Sequence, residues 1–528
     1  MLALGGAMLV FAQLASAGFG FRQGGIFRDA SVGSSVQVDP QLAYVSTAWW
    51  LEYATAAKLF NYPDRAGQAG TRLVPEVASR YTVSRDGRTW TFFVRKGFRF
   101  SDGLPVTAAS FRYAIDRAAN HDLASPAAPF ITDASGANFV GAAAVNSGRA
   151  QHVRGVIAKG NRLTVRLTRP FGALPTLLAM PFFQATSARL PLGREVTGAY
   201  PSAGPYYFSR NDPNVVTQVR RNPYYSGRRP HNLHGLDLRW NADETSAFQQ
   251  VQAGTLDEGP LPVAKVRAVA KAYGVNRTRF WAKPVSCVDV LSLNSRRPLF
   301  RKNLPLRQAL NWVVDRKALG AQAGPYARLP WTHLLPPTFP GSVTAPRLQP
   351  YRGAPNLPKA RRLAAGHLRK GAITIGYRTS VPSAAARARL VRTYLLKLGV
   401  ASTRIRLKAY SGAGLYDASG DVDIGVGLGW CGDYPAGSFS FLDLAFSPWS
   451  GIDNPKFRAR LSAEKRLDGS ARDRALGKLD VRMATALAPQ VVLGVYTNRY
   501  FFSSRVDPRS LVYQNAYTDW SIPALALK

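Results

Sequence analysis

The chain has 528 residues, 46 % of them hydrophobic and 19 % charged, with 46 glycines and 36 prolines. This is too long for one hydrophobic core and too apolar for a disordered chain, so two or three globular, loop-rich domains are expected. Lys and Arg number 69 against 31 Asp and Glu, a formal net charge of +38, which favours anionic partners and surfaces.

In chain order, MLALGGAMLVFAQLASAGFG comes first, uncharged until Arg22, with Ala15-Ser16-Ala17 in the small-x-small pattern of a signal-peptidase site. Residues 1–17 read as a secretory signal, or as an uncleaved anchor, because the apolar run lies near the lower limit for a bilayer span and lacks a positive leading region. No cysteine stands near residue 18, so lipid attachment there is excluded, and no later stretch is long and apolar enough to span a membrane. Export makes a disulfide chemically permissible.

An aromatic, mainly helical segment follows, YVSTAWWLEYATAAKLF. TWTFFVRKGFRF, between the turns Asp86-Gly87 and Ser101-Asp102-Gly103, predicts a hairpin-like unit. TAASFRYAIDRAAN predicts a helix capped by Thr107 with Phe111, Ala114 and Ile115 inward. Strands are expected over residues 161–167 and 215–219, then at VDVLSLN. LPLRQALNWVVDRKAL predicts one amphipathic helix burying Leu306, Leu310, Val313 and Val314. Helix NLPKARRLAAGHLRK, strand AITIGY, helix AAARARLVRTYLLKLG and strand RIRLKAY form a β-α-β order, the mark of an α/β domain. DVDIGVGLGW is a further buried strand ending in GWCGDYP, and ligands of open α/β sheets bind outside the carboxyl ends of strands. From Arg316 through Tyr416 there is no Asp or Glu; the basic residues there read as solvated helix faces, with an anionic partner as the alternative.

Catalytic signatures are missing. The sequence has no G-x-S-x-G elbow and no P-loop. GVGLG lacks the full dinucleotide pattern. Two cysteines cannot form a cysteine-rich zinc site, and His231 and His234 have no third ligand nearby, so no metal or cofactor is expected. The chain does not read as an enzyme.

Several blocks together resemble the peptide-binding proteins of ABC importers, the extracellular solute-binding proteins of the oligopeptide/dipeptide family (family 5). They are LVPEVASRYTVSRDGRTWTFFVRKGFRFSDGLPVTAASFRYAIDR (residues 73–117), GPYYF, RNPYYSG, FQQVQAGTLDEG, SLNSRRPLFRKNLPLRQALNWVVDRKAL and DVDIGVGLGWCGDYP, in the family's order. The resemblance implies an α/β, two-lobe periplasmic-binding-protein-like clamp with a hinge and an extra subdomain in lobe one. On this chain lobe one would comprise residues 28–70, 201–286 and 496–528, with the extra subdomain at 71–200 and lobe two at 287–495.

The same resemblance implies the site. Its W-x-x-D motif falls on Trp430 and Asp433, where the aspartate would pair with a peptide's α-ammonium and the indole would wall the cleft, with Gly432 and Tyr434 beside them. The alternative is that Asp433 is a turn residue and Trp430 core. Cys287 and Cys431 would form the disulfide that relatives carry between this loop and a neighbouring strand. Arg378 stands where dipeptide-preferring relatives bind the ligand's carboxylate, and Trp49 or Trp50 where lobe one lends a cleft residue; surface and core roles are the alternatives. The expected partners are a short peptide and a two-subunit ABC permease, without nucleic acid, and with membrane contact at most through the N-terminal segment. The protein would be exported, periplasmic or on the outer face of the cytoplasmic membrane. A non-peptide solute (a sugar oligomer, an opine or a metal chelate) and a basic envelope protein holding an anionic polymer are the rival readings.

Overall fold

The computed structural model describes residues 20–65, 67–132, 136–411, 415, 420–435, 439–467, 469–514 and 519–528. The expected signal, residues 1–17, lies outside them. Among the described residues no helix is long and apolar enough to cross a membrane.

Three sheets carry the architecture. One is four-stranded, in the order Ile26–Ala30, Gly235–Arg239, Val216–Arg221, Tyr206–Asp212. A second, antiparallel, is built from Ala78–Val83, Thr89–Val94, Arg162–Arg166 and Val156–Lys159. Here the sequence pattern holds: Trp90, Phe92 and Val94 alternate inward, and Gly87 turns the hairpin with φ +68°, a conformation that suits glycine. The adjoining helix Ala108–Ala119 starts after Thr107, whose N–H donates to the Ser110 hydroxyl at 3.2 Å, and it buries Phe111, Ala114 and Ile115.

The third sheet is the largest. Its strands run in the order Glu258–Gly259, Gln490–Phe502, Phe280–Leu293, Ile424–Cys431, Ile373–Arg378, Ile405–Tyr410. Ile373–Arg378 pairs parallel with Ile405–Tyr410, and the helix Ala384–Lys397 connects them, giving the predicted β-α-β unit. The long strands Phe280–Leu293 and Gln490–Phe502 pair antiparallel from Phe280↔Phe501 to Ser292↔Gln490. At one end Trp281 packs against Trp520 in one core; at the other, Leu291, Leu293, Val491 and Leu493 belong to another. The register shifts between Pro284 and Val288, where proline has no N–H to give the ladder. Two strands therefore join the halves, with a built-in irregularity where they cross.

One predicted helix is two. Leu304–Val313 ends at Val314, whose backbone is extended (ψ 123°), and Asp315 caps a new helix, Arg316–Ala321, by accepting the Ala318 N–H at 3.0 Å. The capping aspartate outcompetes continuation because its carboxylate satisfies an amide that the helix start leaves open.

Cys287 and Cys431 lie directly opposite in adjacent strands and are joined as a disulfide, Cα atoms 4.0 Å apart across 144 positions of chain. Replacing both by serine is expected to lower unfolding stability by about 2–4 kcal/mol, because the cross-link restricts the unfolded chain; the urea midpoint should fall and the m-value rise as the unfolded chain expands.

Candidate functional site

The strand Ile424–Cys431 delivers GWCGDYP to the carboxyl end of the large sheet. Its neighbour Ile373–Arg378 runs parallel, with Tyr377 opposite Val426, so Arg378 ends its strand on the same side, packed beside Gly427. Beyond Cys431, the Gly432 N–H donates to the Ser286 carbonyl at 2.9 Å. A side chain at 432 would collide with the rings of Phe339 and Phe441, so only glycine lets the loop lie this close. The disulfide and this hydrogen bond pin the strand end that leads into the turn presenting Asp433.

Asp433 is half-buried and accepts a hydrogen bond from the Tyr44 hydroxyl at 2.7 Å, between residues 389 positions apart in sequence. No cationic side chain lies within 4.0 Å of it among the described residues, although the chain carries 69 lysines and arginines. Desolvation raises its carboxyl to about 6, opposed by the Tyr44 hydrogen bond. The Tyr44 hydroxyl is pushed up in turn, by burial first and by the Asp433 charge second. Tyr44 rests on an aromatic bed, with ring centroids 5.4 Å from Phe182, 5.7 Å from Trp49 and 6.3 Å from Phe130.

The two tryptophans of the first helix, Ser46–Thr55, part company because neighbouring helical residues point about 100° apart. Trp49 lies under Tyr44, its indole N–H donating to the Ala43 carbonyl at 2.7 Å. Trp50 donates to the Trp520 carbonyl at 2.7 Å within a different core, away from Asp433. Trp430 is half-buried, its ring edge-on to Trp449 at 6.3 Å, and its indole N–H has no hydrogen-bond partner among the described residues. Tyr434 is buried in the apolar core that also holds Phe339 and Phe441. Opposite Gly429, the buried Asp289 carboxylate bridges Arg387 at 2.7 Å and Arg328 at 2.9 Å, bracing the loop strand from beneath.

The arrangement has the chemistry to receive a cation. A desolvated carboxylate with a neutral hydrogen-bond donor and no counter-ion can form a strong charge-assisted bond to an ammonium group. Tyr44 and Trp449 were not singled out in the sequence. Tyr44 belongs to an aromatic run in which nothing distinguishes it, and only folding brings it to Asp433.

The chain matches, over residues 72–451, the family described as bacterial extracellular solute-binding proteins, family 5. It belongs to that family. The glutathione-binding protein GsiB of Salmonella paratyphi A is 25 % identical over 416 residues, covering 74 % of this chain and 72 % of that protein. The oligopeptide-binding protein OppA of Bacillus subtilis is 25 % identical over 271 residues, 50 % of this chain and 49 % of that one. Among solved structures, clavulanic acid biosynthesis oligopeptide binding protein 2 superposes with a TM-score of 0.81 at 23 % identity, over 96 % of both chains. The murein tripeptide binding protein MppA of Escherichia coli gives 0.73 at 21 % identity, over 96 % of this chain and 99 % of that one. The fold is thus the two-lobe α/β clamp of periplasmic binding proteins, and the chain is a solute-binding protein of the ABC importer class. Its homologues are binding proteins, not enzymes.

The sign of the Asp433 titration gives a test. Folding raises its pKa from 3.8 to about 6, so between these values the folded chain holds more protons than the unfolded one and stability falls as pH rises. Asp433→Asn, which can still accept from Tyr44, should match the parent at pH 4 and exceed it at pH 7.5. The gain should be about 1 kcal/mol, below the full linkage value because water reaches the carboxylate. Thermal midpoints at both pH values measure it.

Proposed function

We propose that this solute-binding protein captures short peptides between its lobes and delivers them to a two-subunit ABC permease. The observation that carries the reading is Asp433, a carboxylate at the strand end with a tyrosine hydroxyl for company and, among the described residues, no cation within 4.0 Å. Every unblocked peptide offers an ammonium group at its amino terminus, so one such contact recognises peptides as a class, whatever their side chains. Trp430 and Trp449 would wall the first peptide unit. Arg378, on the same side of the sheet, would take the terminal carboxylate of a short ligand through a bidentate contact. Trp49 serves by supporting Tyr44.

In this reading residues 28–70, 201–286 and 496–528 form one jaw, with 71–200 as its added subdomain, and 287–495 form the other. The crossing strands supply the pivot near Pro284. A ligand that touches Asp433 from one jaw and Tyr44 from the other stabilises the closed state over the open one. Residues 1–17 direct export, and the mature protein works outside the cytoplasmic membrane. The names of GsiB and OppA, a glutathione-binding and an oligopeptide-binding protein, support a peptide-like ligand.

Thermal unfolding with a pool of di- to pentapeptides, and with the same pool N-acetylated, tests this. A ligand at about 100 times its dissociation constant adds about 2.7 kcal/mol to stability. The free peptides should raise the midpoint and the acetylated ones should not. Asp433→Ala should weaken binding by about 2–5 kcal/mol, the range for truncating one partner of a desolvated charge pair. No shift with either pool would send the search to non-peptide solutes. A shift that persists after acetylation would remove Asp433 from the role given to it.

A further inference from the structure

We propose that the helical hairpin formed by Pro455–Glu464 and Gly469–Ala486 carries a docking groove for anionic phospholipid headgroups, separate from the solute cleft. The two helices border an open hollow of about 450 Å³ lined by Arg460, Arg474, Lys478 and Arg482, by Glu464, and by Ala471, Ala475 and Leu479. Residues 474, 478 and 482 recur every four positions, so they stand on one helix face along about 12 Å of axis. All three are exposed, and none has a carboxylate within 4.0 Å among the described residues.

The acids nearby are already engaged. Glu464, nearly buried, pairs with Arg460 at 2.6 Å; Asp473 pairs with Arg472 at 3.2 Å; Asp480 accepts the backbone N–H groups of Leu334 and Leu335. Arg482 is steadied over the Phe457 ring at 5.6 Å. Like charges four residues apart on a helix repel one another, and among the described residues no carboxylate pairs with any of the three. An external anion would relieve that repulsion.

The shape favours a lipid over a bare anion. One phosphate would meet one or two of these cations, whereas a row of headgroups meets all of them. The apolar floor suits the glycerol shoulder of a phospholipid and is wasted on an inorganic ion. A second hollow of about 380 Å³, walled by Pro298, Arg301, Lys302 and Arg369, repeats the cationic rim in the same half of the chain.

Co-sedimentation of the full chain with vesicles of phosphatidylglycerol mixed into phosphatidylcholine, and with pure phosphatidylcholine, tests the groove. Any contribution of the apolar N-terminal segment is common to both vesicle types, so the anionic preference reports the cations. The triple variant R474E/K478E/R482E should lose at least about a hundredfold of that preference, from about fivefold per cation at an anionic surface. R154E/R162E/R166E, an equal charge change on exposed residues of the other half, should lose less than about tenfold. R474Q/K478Q/R482Q repeats the test with a gentler change, and the peptide-induced thermal shift of each variant checks that the clamp is intact. Equal losses in the two reversed triples would mean that net charge alone binds and would overturn the groove. Soluble polyphosphate bound through these three residues, with no binding to anionic vesicles, would overturn the lipid assignment.

Discussion

The site turns on one electrostatic constraint: a half-buried carboxylate with no cation within 4.0 Å among the described residues, in a protein with a large surplus of cations. Leaving Asp433 in that state costs free energy, which is why its proton affinity is raised. The surrounding covalent and packing restraints keep it there. The Cys287–Cys431 bridge, the Gly432 N–H on Ser286 and the close approach of Phe339 and Phe441 hold the turn, so the carboxylate cannot swing away to find an arginine. In the proposed function a ligand's ammonium group would supply the partner and offset that cost.

The same constraint links the site to the clamp. Tyr44 and Asp433 meet from segments 389 positions apart, and one apolar cluster contains Phe92, Phe111 and Phe182 together with Val288, Leu428 and Tyr434, so packing is continuous between these parts of the chain. The paired strands Phe280–Leu293 and Gln490–Phe502 run from one core to another through the register shift between Pro284 and Val288. In the proposed reading this is the connection about which two jaws would take two states that a ligand can bias.

The surplus of cations has a structural origin as well. Buried pairs such as Arg117 with Asp39, Arg229 with Glu76, and Arg387 with Asp289 consume carboxylates inside the protein, where an unpaired guanidinium would be costly. With few acids in the chain, outer helices keep arginines and lysines, such as Arg474, Lys478 and Arg482, that have no carboxylate within 4.0 Å among the described residues.

Read alone, the sequence determined the class of structure and the family, because alternation, helical period and the order of motif blocks are local or collinear signals. TWTFFV, the helix after Thr107 and the β-α-β run from Ala372 to Tyr410 carried their own periodicity into the fold. It also pointed to Trp430, Asp433 and the two cysteines, since these lie in a short motif of the resembling family. It misjudged the helix broken at Asp315, where a single cap outweighs a continuous apolar stripe. The partner of Asp433 belonged to tertiary structure. Tyr44 is 389 residues away, and choosing it over Trp49 or Trp50 depends on which face of one helix turns toward the cleft and which fills a core. That no described cation stands within 4.0 Å of Asp433 is likewise a fact of three dimensions, because where lysines and arginines do not go is written in no local pattern.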